Sequence, residues 1–162
     1  MNNNSLEVYF KLLKVDDSLQ KKGTSLEKKD RKKYLDLLQF RVKLSDYIHW
    51  KQRHQYLNLM KNFVDLKIDG KQFVSQFMKL YKSNQQDCRI FKTDLKQLST
   101  FKLKPESFGF SRWPSELELC CDEFYPDLQP QDRVEFKFAR DEENLRNFVA
   151  TIVPEIKKYC EK

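Results

Sequence analysis

Glycine is nearly missing from this chain, with three isolated copies in 162 residues beside five prolines and two alanines. Three scattered glycines cannot build a phosphate-cradling loop. A sandwich or barrel of short strands needs many more turn residues, so the scarcity of punctuation points to helices. Histidine is as scarce. His49 and His54 stand five residues apart, about 140° around a helix, so they cannot share a metal ion. Cys88, Cys120, Cys121 and Cys160 have neither zinc-finger spacing nor the pattern of a disulfide framework, and an adjacent pair makes a poor structural disulfide. Free thiols in a reducing compartment are expected. No apolar run reaches the roughly 18 residues that a membrane span needs. Met1 to Ser5 lack the basic-then-apolar order of a secretion signal. No serine or cysteine falls in a strand–turn–helix elbow, and neither histidine has an evident orienting partner. The expectation is no catalysis, no cofactor and no metal.

Aromatic residues are abundant instead: 13 Phe, 7 Tyr and 2 Trp, too many for a disordered chain and enough for a real core in one domain-sized unit. The net charge is +7 and unevenly spread. Residues 1–81 carry 17 Lys/Arg against 9 Asp/Glu, and residues 82–162 carry 14 against 15. A basic half suits nucleic acid or an anionic surface. An AT-rich genome gives the same bias, because Lys outnumbers Arg 23 to 8 while Ala and Gly are rare. The expected address is cytoplasmic, with the stroma of a chloroplast or other organelle as the alternative if that organelle encodes the protein.

The hydrophobic spacing predicts a mainly α fold: an antiparallel four-helix bundle-like domain over 47–162, preceded by an N-terminal helical extension and basic linker over 1–46. Leu6, Tyr9, Phe10 and Leu13 share one face of a helix over 5–20, and 21–33 reads as a solvated linker with seven Lys/Arg. A helix follows from Asp30, although Phe40, Val42 and Leu44 alternate with basic residues as in a short strand. Ser45 and Asp46 read as a fresh N-cap for a helix over 47–66. Asp69 and Gln72 form a capping-box pattern before a helix over 70–83, and the two helices make an αα-hairpin. Residues 83–112 read as a packed, partly helical connection. Pro114, Ser115 and Glu118 mark the start of a helix over 114–125. Residues 130–140 read as a loop, extended through Val134, Phe136 and Phe138. Leu145, Phe148, Val149, Ile152, Val153 and Ile156 stripe a last helix over 141–159, capped by Asp141. Phe63, Phe77, Leu117, Phe148 and Ile152 are expected to be buried together.

Two charged groupings are candidate sites. Glu116, Glu118, Asp122, Glu123 and Asp127 place five carboxylates in residues 113–127 with no Lys or Arg among them. They read either as a solvated helix face or as a patch that docks a basic partner. Arg31, Lys32, Arg41 and Lys43, interleaved with aromatics, read either as core-flanking charge or as a nucleic-acid grip.

The segment Asn62 to Tyr81, the apolar-acidic helix from Leu117 to Tyr125 and the closing Asp141-Glu-Glu-Asn-Leu-Arg146 carry a resemblance. In that order they resemble the colicin-D-type immunity proteins, small antiparallel four-helix bundles, over roughly residues 50–160. The residues before 50 and the positive net charge lie outside the likeness. Members inhibit a tRNA-cleaving toxin by covering its basic active site with acidic side chains. The resemblance therefore implies a non-catalytic inhibitor of a basic nuclease partner, with Glu116, Glu118, Asp122 and Glu123 in the docking role. The alternatives are an RNA-binding protein using the basic N-terminal half, and an organelle-encoded protein of structural role.

Overall fold

The computed structural model describes residues 4–93, 104–128 and 138–161. The fold is mainly α-helical. Among the described residues the elements are α1 (Asn4–Gln20), α2 (Leu26–Lys29), α3 (Arg31–Lys51), α4 (Arg53–Val64), α5 (Gly70–Thr93), a 3₁₀ turn (Pro105–Ser107), α6 (Arg112–Asp122) and α7 (Glu142–Cys160). The only β pairing among them is an isolated parallel bridge between Phe124 and Arg140. No helix among them is long and apolar enough to cross a membrane.

The local signals work where a side chain can reach its own backbone. Asp69 accepts from the Gln72 N–H at 2.8 Å while Gln72 accepts from the Asp69 N–H at 3.1 Å, so the capping box opens α5. Asp141 accepts from the Asn144 N–H at 2.8 Å and opens α7. Asp30 does the same for α3 through Lys33. At the far end of α4, Leu66 takes φ 62°. The Lys67 N–H reaches the Asn62 carbonyl and the Leu66 N–H that of Phe63, a Schellman closure built on a residue that is not glycine.

Phe63 stacks on Phe73 with ring centroids 4.4 Å apart, and Tyr56 lies over Phe77. Partner numbers rise along α5 as they fall along α4, so the hairpin is antiparallel. Gly70 packs against Phe124 while Lys82 neighbours Glu118, which sets α6 antiparallel to α5. Arg112 neighbours Glu155 and Tyr159, and Arg146 donates to the Phe63 carbonyl, so α7 closes the ring against α6 and α4. This arrangement is compatible with the expected four-helix bundle. Phe63, Phe77, Leu117 and Ile152 are buried in its core and Phe148 packs on them half-buried.

Several sequence expectations need correction. Asp46 does not start a helix: α3 runs unbroken through it, the strand alternative for Phe40 to Leu44 fails, and the break falls at Gln52. The helix expected over 47–66 is therefore the end of α3 plus α4. The basic linker is not simply solvated, because Ser25 caps the one-turn α2 and Leu26 buries beside Tyr9 and Leu37. Helix α5 continues ten residues past the expected end at 83, carrying Asn84 and Cys88 into buried positions. Helix α6 begins at Arg112 rather than 114, so Ser115 lies inside it and the second capping box does not form, and it ends at Asp122 rather than 125. Val134 and Phe136 lie outside the described residues, as do the connecting residues 94–103.

Candidate partner-binding face

The start of α6 is positioned from a distance. Asp46, buried in the last third of α3, accepts from the Gly109 N–H at 2.8 Å, from the Ser111 N–H at 2.9 Å and from the Ser111 hydroxyl. Ser111 is the N-cap of α6 but makes no cap bond with its own side chain. A carboxylate from another helix thus supplies the negative charge that the positive helix end favours. Gly109 takes φ +81°, a left-handed conformation that suits glycine. At the other end, the Tyr125 N–H donates to the Arg140 carbonyl and the Arg140 N–H to the Glu123 carbonyl. Glu142 accepts from the Gly70 N–H at 3.0 Å and pairs with Arg146. An added side-chain carbon at Gly70 would come within 2.6 Å of the Phe124 ring, so glycine is required for that approach. Helix α6 is therefore held at both ends.

Within that frame the inner face of α6 carries Pro114, Leu117, Cys120 and Cys121, all buried. The carboxylates do not behave as one uncompensated set. Glu116 pairs with Arg112 at 2.6 Å, Glu123 with Arg140 at 3.0 Å and Asp127 with Lys71 at 3.7 Å. The compensating cations lie outside the 113–127 window or on other helices, which is why the sequence window hid them. Among the described residues, Glu118 and Asp122 alone on this helix lack an ion pair. They stand at i, i+4, where like charges repel. Partial burial raises the Glu118 carboxyl above its ordinary range, the Asp122 charge adds to that, and Lys82 opposes it. Beside that pair, about 60° further round the helix from Asp122, Leu119 is 61% exposed. A helical projection places Leu119 opposite the buried face, about 200° from Leu117. Its outward position is readable from that spacing, but an acidic-cluster reading passes over it.

The four basic candidates are not gathered. Arg31 and Lys32 are exposed in the first turn of α3. Arg41 turns toward buried Asp16 at 3.6 Å, and Lys43 lies 5.5 Å over the Phe108 ring. Arg41 and Lys43 project about 160° apart on the helix. The interleaved Trp50 is buried, with Arg53 stacked on it at 3.8 Å.

The residues with most potential for chemistry are enclosed. Asn84 donates to the Tyr56 hydroxyl at 2.9 Å, which in turn lies 2.9 Å from His49 Nδ1. With Tyr56 accepting from Asn84, its own proton is available to Nδ1 of a neutral His49. Burial lowers its pKa to about 4, against an opposing pull from Asp46. Its Nε2 is buried with no hydrogen-bond partner. This triad ties α3, α4 and α5 together. None of the four cysteines forms a disulfide among the described residues, and burial pushes the thiols of Cys120, Cys121 and Cys160 up, away from the reactive thiolate. No metal-ligand cluster occurs among the described residues.

Comparison with protein families, with curated proteins and with solved structures gives no match.

Proposed function

We propose that this chain is a non-catalytic helical binding protein that docks a basic protein through the outward face of α6. One observation carries the reading. Exposed Leu119 is bordered by Glu116, Asp122 and Glu123 at i−3, i+3 and i+4, and of the carboxylates on this helix Glu118 and Asp122 have no ion pair among the described residues. An apolar anchor inside a charged rim is the composition of a protein contact. A cation delivered by a partner relieves the Glu118–Asp122 repulsion, and complementary charge speeds encounter. The resemblance to colicin-D-type immunity proteins makes a nuclease toxin the class of partner to test first. Glu118 and Asp122 then take the docking role, with Glu116 and Glu123 serving mainly to fix the helix. The free thiols suit a reducing compartment, cytoplasmic or stromal.

The test is affinity capture from the source organism with wild type, Glu118→Lys/Asp122→Lys and Leu119→Ser, at low and high salt. The expected outcome is a basic protein held by wild type at low salt and lost from both variants and in high salt. Equal capture by all three, or capture of RNA in place of a basic protein, overturns the reading.

A further inference from the structure

A second surface, on α3, is self-complementary. Leu35 is 48% exposed and Val42 57% exposed. With Gln39, also exposed, they stand at i, i+4 and i+7, one stripe along the helix. Asp36 and Lys43 flank that stripe on its other side, and neither has an ion-pair partner among the described residues. Lys43 lies over the Phe108 ring. An open groove of about 320 Å³ lies on the same flank between α1 and α3, with Val8 on its far wall. Leu35, Asp36, Gln39 and Val42 are all exposed on this face.

The spacing of these residues decides what fits. A two-fold axis perpendicular to α3 at Gln39 brings two α3 helices together antiparallel, and it sets each flank against the same flank of the other copy. On one flank Leu35 then meets Val42 of the second copy, and Val42 meets Leu35. On the other flank Asp36 meets Lys43 and Lys43 meets Asp36. Gln39 meets itself. Two apolar pairs and two opposite-charge pairs form at once, while Lys32, at i−7 from Gln39, comes within about one helical turn of Lys43 on the other copy. We infer that this face of α3 is a self-association surface, occupied by the same face of a second copy across a two-fold axis at Gln39. This surface lies on a different helix from Glu118, Leu119 and Asp122.

Sedimentation equilibrium on the full chain across about 1 to 300 µM tests it, a range that covers the weak end of specific association. Wild type is expected to pass from monomer to dimer. Asp36→Lys and Lys43→Asp each place like charges in contact and should weaken self-association at least about tenfold. Mixed in equal amounts, the two variants should form a heterodimer of wild-type strength, because every cross pair is again of opposite sign. A wild type that stays monomeric, single variants that associate as wild type does, or a mixture no stronger than its components each overturns the inference. Gln39→Cys provides a check independent of charge: mild oxidation should join two copies through residue 39, whereas Glu27→Cys in α2 should stay single. Equal cross-linking at both positions, or none at 39, also counts against it.

Discussion

Among the described residues, seventeen around Phe77 are buried in one cluster fed by α4, α5, α6, α7 and the end of α3, and eight around Phe40 are buried between α1, α2, α3 and Cys88 of α5. Both clusters are built from the same residue types. In the larger one each ring has neighbours on several sides: Phe77 contacts Tyr56, Phe73 and Tyr81. In the smaller, the one ring stacked on Phe40 among the described residues is Tyr9, at 3.9 Å, and Val8, Val15, Leu35 and Val42 remain exposed on the same two helices. Four helices closing in a ring enclose their apolar faces. Two long helices packed in one layer cannot, and the uncovered remainder is where association surfaces arise.

The strongest way to break this comparison is to empty each core in turn. Phe77→Asp puts an unpaired charge among the enclosed rings and should abolish the fold, read by circular dichroism. Phe77→Ala should cost about 5 kcal/mol and Phe40→Ala about 3 kcal/mol in urea titrations. An equal or reversed pair of costs removes the distinction between the cores.

The joint between the cores is the next target. Asp46→Ala deletes the acceptor for two backbone N–H groups and a hydroxyl, so stability should fall by about 4 kcal/mol. Because those groups start α6, hydrogen exchange should rise first at residues 109–113. A loss spread evenly over the chain contradicts the distant-cap role.

His49 sharpens the same joint through pH. Its folded pKa, about 4, lies below the 6.5 of an unperturbed histidine. The unfolded state therefore binds more protons between those values. The stabilisation from neutral His49 is complete above about pH 6.5 and is lost as pH falls toward 4, a change of about 3 kcal/mol in total. His49→Gln keeps an acceptor for Tyr56 and should flatten that part of the profile. A wild-type profile without the fall between pH 6.5 and 4 contradicts the buried neutral histidine.

The smallest effect concerns the hairpin of the larger core. Leu66→Gly relieves a left-handed residue in an exposed Schellman closure and should raise stability by about 0.5–1 kcal/mol in thermal or urea melts. A loss there would show that Leu66 packs more than it strains.

These elements also mark what sequence can and cannot reveal. Asp69 with Gln72, and Asp141 with Asn144, act within three residues, so their caps and the helices they open are legible in the chain alone. The stripe of Leu145, Val149, Ile152 and Ile156 is legible for the same reason, since its period is local and all four are buried. Asp46 has the right residue type for a cap, but its partners lie 63 and 65 positions away; nothing nearby distinguishes it from a cap of its own helix. Glu142 behaves likewise, satisfying the start of α5 from 72 residues away. The acidic cluster was visible as composition, yet the pairing of Glu116 by Arg112 and of Glu123 by Arg140 depends on where α6 starts and where the bridge to residue 140 forms. Only the fold separates Glu118 and Asp122 from their neighbours.

The most direct measurement places a photo-activated cross-linking residue at position 119 and, in a separate sample, at position 42, and identifies what each captures in the source organism. The account predicts a basic protein at 119, lost on Glu118→Lys/Asp122→Lys, and a second copy of this chain at 42. The same adducts at both positions, or a capture at 119 indifferent to the charge reversal, would contradict it.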